Sequence, residues 1–124
     1  MHEQTLCGFF CGEVTAQELA RDLAGSLGPN GYCIVDMKTD YTVLPQDLVR
    51  VCDAVLAGAV RLQDIEIVGF CLIASDQFTW DSKTPAGKLI AQVLHEWVAT
   101  EANSPFTIEN VKKFRTRLVK QKNE

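Results

Sequence analysis

Eight consecutive residues, Ile67 to Ala74, contain no polar side chain, and whatever this segment becomes must lie near the centre of the fold. A continuous apolar run is either a strand covered on both faces or a helix packed on all sides, and periodicity alone does not separate them. The acids Asp64 and Glu66 would fall in a first helical turn, where they complement the dipole. The short link from Gly58 to Gln63 also suits one helix following directly on another. Ile65, Ile67, Val68 and Ile73 argue for strand through their β-branching. Helix is the favoured reading over 64–75; the alternative makes 66–74 the third strand of a small sheet covered by helices. At eight residues the run falls far short of the roughly twenty that span a bilayer, so neither a transmembrane helix nor a membrane partner is expected.

The flanking sequence carries clear helix signals. Thr15 with Glu18 three residues later forms a capping box, with a Val14 to Leu19 staple. That helix should bury Leu19, Leu23 and Leu27 and stop at Gly28-Pro29. Pro45 suits a first helical position, and Leu48, Val51, Cys52, Val55 and Leu56 follow at the spacing of an amphipathic helix ending near Gly58. Thr84-Pro85 opens another, with Leu89, Ile90, Val93, Leu94 and Trp97 on one face and an end near Thr100. Thr107 can cap a last helix over 107–121, with Phe106 stapled to Val111. Between the first two helices, Tyr32–Met37 and Tyr41–Leu44 flank Lys38-Thr39-Asp40 and predict a small β-hairpin over about 32–44. The expected fold is α+β, a predominantly helical single domain over 1–124 with four to five helices and that hairpin. A chain of 124 residues is large enough to bury roughly two thirds of its unfolded surface.

Charge is distributed unevenly. Residues 112–124 hold six of the twelve basic side chains, Lys112, Lys113, Arg115, Arg117, Lys120 and Lys122, against the single acid Glu124. The other 111 residues keep six basic and fifteen acidic side chains, within a net charge of −4. At about 100° per residue, Ile108, Val111, Phe114 and Leu118 share one side of the last helix, and Lys113, Arg117 and Lys120 form a ridge opposite. Such a ridge is ordinarily a solvated face whose cations complement the negative end of the helix dipole. It could also pair with the protein's own acids or bind a polyanion. The acidic remainder opposes a polyphosphate, which leaves nucleic acid as the second choice of partner.

Chemistry-bearing groups are sparse. Of five cysteines, Cys33, Cys52 and Cys71 lie in apolar stretches and read as buried small hydrophobes. Cys7 and Cys11 stand in a C-x3-C spacing that suits neither the usual C-x2-C redox pair nor a zinc knuckle, so no metal is expected. His95 and Glu96 lack the second histidine of a zinc helix. Asp76 and Asp81 bracket one loop, where aspartates usually cap turns; an enzyme would need them to converge with His95. The glycines are scattered and form no phosphate cradle, so no cofactor is expected. Phe78 and Trp80, in the same loop, either plug the edge of the core or anchor a partner.

The N-terminal Met1-His2-Glu3-Gln4 lacks the basic region of a secretory signal, which points to the cytosol. These features predict a small cytosolic protein–protein interaction module, a bacterial accessory, adaptor or immunity-type protein with an acidic body complementary to a basic protein partner. The candidate binding residues are Phe78, Trp80, Lys113, Arg117 and Lys120, with no catalytic residue. The alternative is a nucleic-acid-associated regulator using the basic C-terminal helix.

Overall fold

A computed structural model of the chain describes residues 1–25, 27–28, 31–32, 34–99 and 107–122. In chain order the elements are α1 (Glu3–Phe10), α2 (Ala16–Ala24), β1 (Leu27–Gly28), β2 (Gly31–Tyr32), β3 (Tyr41–Thr42), α3 (Pro45–Leu56), α4 (Asp64–Ala74), β4 (Phe78–Thr79), α5 (Pro85–Val98) and α6 (Ile108–Lys122). The chain is thus a predominantly helical α+β domain, with six helices among the described residues where four to five were expected.

The apolar run is helical, as α4. Ile65, Val68, Cys71 and Leu72 are buried along it, and burying each large side chain contributes about 1.5–3 kcal/mol. Helix-propensity differences among ordinary residues stay below about 0.7 kcal/mol, so packing overrides the β-branched preference. The start of α4 is closed by Asp64, a buried carboxylate that accepts from Arg61 Nη2 at 2.9 Å and Nε at 3.2 Å. Gly69 lets α5 come close: a Cβ there would lie 3.1 Å from both Trp97 Cβ and Val98 Cγ1.

Packing runs outward from that pair. α4 lies on α5, α5 on α6, and α6 on α3, while α2 joins α1 to α4. The capping box of α2 forms, Glu18 N–H donating to Thr15 Oγ1 at 3.1 Å. The helix closes earlier than expected, at Ala24, and Leu27 opens β1. α3 begins at Pro45 and buries Leu48, Val51, Cys52 and Val55. α5 has Thr84 as its N-cap and buries Ile90, Val93, Leu94 and Trp97. α6 is capped by Thr107, whose Oγ1 accepts from Asn110 N–H at 3.1 Å, and docks through Val111, Phe114 and Leu118. Ile108, at the end of that strip, stays exposed. The Phe106 staple and Cys33 lie outside the described residues.

The strands pair differently from the predicted hairpin at 32–44. Tyr41–Thr42 pairs in parallel with Phe78–Thr79, and Gly31–Tyr32 pairs antiparallel with Leu27–Gly28. The reason is competition for backbone groups. Val35 is taken by the N-terminus, accepting from Glu3 N–H and donating to Met1 C=O, both at 2.9 Å. Met37 N–H donates to the buried Glu3 carboxylate at 3.1 Å. Glu3 belongs to α1, an unanticipated helix that buries Leu6, Phe9 and Phe10. Among the described residues no helix is long and apolar enough to cross a membrane.

Asp47 fastens β3 to α3. Its buried carboxylate accepts from Leu44 N–H at 2.9 Å and from Tyr41 Oη at 3.0 Å. Burial raises its pKa above the ordinary 3.8, against the lowering effect of those two bonds and of Arg50. Burial and the adjacent Asp47 likewise push the Tyr41 hydroxyl upward. A carboxyl whose pKa rises on folding stabilises the fold below its unfolded value, and that contribution is lost as pH climbs through the raised one. Asp47→Asn keeps an acceptor and removes the titration. The stability of the native chain relative to Asp47→Asn should therefore fall as pH rises from 3.8 and then level off. Urea-unfolding midpoints across this range check it; a difference that grows with pH contradicts it.

Candidate functional site

The segment between α4 and α5 is shaped by three short-range devices. Ser75 ends α4 in an extended conformation, and its Oγ accepts from Gln77 N–H at 3.0 Å and Phe78 N–H at 3.1 Å. Tyr41 N–H and Val43 N–H then donate to Gln77 C=O and Thr79 C=O at 2.9 and 2.8 Å, which holds residues 77–79 extended. Asp81 closes the segment, its Oδ1 accepting from Lys83 N–H and its main-chain oxygen from Thr84 Oγ1, each at 2.9 Å.

This geometry separates the two aromatic candidates. Phe78 is 2% exposed and sits edge-on to Phe10 and Tyr41, with ring centroids 6.0 Å apart in each case. It is a core residue, closed to a partner in this arrangement. Trp80, just past the end of β4, packs half-buried at the core's edge. Together with Ile73, Ser75 and Thr79 it lines a shallow hollow of about 210 Å³ floored by Leu72 and Phe78. Ile73 is 37% exposed. Asp76 and Asp81 of the loop are exposed, as is Asp40, which precedes Tyr41 of β3. Lys83 and Lys38 are the cations nearest in sequence, each exposed and two residues from Asp81 and Asp40 respectively. Ile73 was indistinguishable in the sequence from its buried neighbours in the apolar run.

The basic ridge is partly consumed by the fold. Arg117 is half-buried, with Nη1 3.0 Å from Glu96 Oε2 on α5 and its guanidinium 5.8 Å from the centre of the Phe114 ring. Arg115 pairs with Asp53 on α3. Lys113 and Lys120 are exposed, as is Lys112. Lys112 and Lys113 line a second surface hollow, about 430 Å³, with Thr116 and Arg117. The anionic and cationic territories therefore interlock at two points.

Asp76, Asp81 and His95 do not form a constellation. The Asp81 main chain lies against Gly87 near the start of α5, whereas His95 lies two turns further along, about 12 Å at 1.5 Å per residue. Among the described residues no group of three or more His, Cys, Asp or Glu side chains is arranged to hold a metal.

Gly87 fixes the loop against α5. A Cβ there would overlap the Asp81 carbonyl, which is backbone and cannot turn aside. Gly87→Ala should displace the Asp81 turn and lower stability by about 1–3 kcal/mol. Gly25→Ala meets only the Asp22 carbonyl, at 3.7 Å, and should be neutral or stabilising by up to about 1 kcal/mol. Urea titrations of the two variants test this, and equal losses would contradict it. Comparison of the chain with protein-family models, with curated proteins and with solved structures finds no match.

Proposed function

We propose that this domain is a small cytosolic protein-interaction module, an adaptor, accessory or immunity-type protein, that receives a basic, partly apolar segment of another protein. The observation supporting it is the Ile73–Trp80 hollow, on a segment whose own loop carries the exposed Asp76 and Asp81, with the exposed Asp40 next to the paired strand β3. An aliphatic and an indole side chain at the surface offer contact area of the kind that anchors interfaces. A volume near 210 Å³ is below the ~300–1,000 Å³ of small-molecule sites, and suits one or two side chains of a protein. Carboxylates on the same loop steer a cationic segment and reject an anionic one.

The immobilised protein should capture a partner from native lysate, and Ile73→Ser combined with Trp80→Ala should abolish that capture. Raising ionic strength should weaken it, because the exposed carboxylates are screened. A partner retained equally by the double variant, or held without regard to salt, would overturn this reading.

The exposed Lys112 and Lys113 beside Thr116 and Arg117 favour a second reading, a nucleic-acid-associated regulator. It requires a gel shift at low salt that Lys113→Glu with Lys120→Glu abolishes. No shift by the unaltered protein removes it.

A further inference from the structure

Cys7 and Cys11 have a relationship that their spacing in the sequence does not disclose. Helix α1 places them one turn apart, with Cys11 N–H donating to Cys7 C=O at 3.0 Å. Cys7 is half-buried and Cys11 is exposed at the C-cap of α1. The other described cysteines, Cys52 and Cys71, are buried, and burial pushes both thiols up to about 12.

We propose that Cys7 and Cys11 are a reversible dithiol–disulfide pair, closed by a low-molecular-weight disulfide such as glutathione disulfide. Exposed Cys11 reacts first: its thiolate attacks one sulfur of the small disulfide, forms a mixed disulfide and releases one thiolate. The Cys7 thiol then loses its proton to solvent, and its sulfur attacks that of Cys11. The Cys7–Cys11 bond forms and the second small thiolate leaves. In balance, two protein thiols are oxidised, one small disulfide is reduced to two thiols, and no other reactant is needed.

Burial, Cys11, Glu13 and Asp47 push the Cys7 thiol up to about 11, which leaves initiation to the exposed Cys11 and makes the attack by Cys7 the slow step, helped only by its place one turn away. Neighbouring positions on a helix face hold their Cβ atoms about 5–6 Å apart, whereas a disulfide needs about 3.5–4.5 Å. Closure therefore requires a shift of about 1–2 Å. The end of α1 can supply it, because Cys11 is the C-cap just past the last helical residue, Phe10, and Gly12 follows at φ +82°. A bridge drawn tight in this way, at the surface, is readily reduced again.

Residues 1–21 are one tryptic peptide ending at Arg21, containing Cys7 and Cys11 and no other cysteine. Incubation of the native protein with glutathione disulfide, followed by acid quenching, alkylation and digestion without reductant, should yield this peptide two hydrogens lighter and closed to iodoacetamide. Dithiothreitol should restore two alkylatable thiols. Cys7→Ser should stop at a glutathione adduct on Cys11. A native protein that ends as the same adduct, or in which neither thiol reacts, would overturn the proposal.

Discussion

Helix α4 carries charged side chains only at Asp64 and Glu66, so it needs apolar neighbours over most of its surface, and only Phe70 and Ile73 among its large apolar side chains are exposed. Its closest is α5, admitted by Gly69 until Trp97 and Val98 touch the α4 backbone. The remaining arrangement follows from covering this pair. α6 seals α5 with Phe114, whose ring stands edge-on to Trp97 at 6.2 Å, and α3 closes the far side through α6. Coverage gives out near the C-terminal end of α4, where Ile73 reaches solvent beside Trp80. The proposed docking hollow is thus a gap left by packing.

Polar groups were placed to tolerate this core. Glu3, Asp47 and Asp64 are fully buried carboxylates, and each accepts backbone hydrogen bonds at the start of an element or across to a neighbouring segment. A buried charge left without such partners would cost several kcal/mol. The solvent-accessible pair Arg115–Asp53 is worth far less, typically about 0–1 kcal/mol, and Arg117–Glu96 is a half-buried pair between α6 and α5. They tie the cationic helix to an acidic body and fix its register. Lys112, Lys113 and Lys120 of α6 and the loop carboxylates Asp76 and Asp81 stay exposed.

Much of this was legible in the residues. The caps at Thr15, Thr84 and Thr107, the Pro45 start and the apolar faces of α3, α5 and α6 are local signals, and each element formed where its own sequence specified it. Helix α1 was missed because it is short and lacks a side-chain N-cap hydrogen bond; the Leu6, Phe9 and Phe10 spacing was its one readable sign. The hairpin over 32–44 misled because strand propensity does not name a partner: Met1–Glu3 and Gln77–Thr79 claimed those backbone groups from a distance. At the candidate site, Phe78 and Trp80 looked equivalent, since a continued extended chain would put both on one side; β4 ends at Thr79, and Trp80 beyond it lies at the core's edge while Phe78 is inside. The Arg117 pairing with Glu96 joins two helices through tertiary packing, which the charge pattern of α6 alone does not contain.

Amide hydrogen exchange resolved along the chain tests the central role of α4 most directly. Amides from Val68 to Leu72 should exchange only through global unfolding, with the same protection free energy and denaturant dependence as the buried amides of α5. Exchange of that segment through a smaller, local opening, while α3 and α6 stay protected, would contradict a fold organised around it.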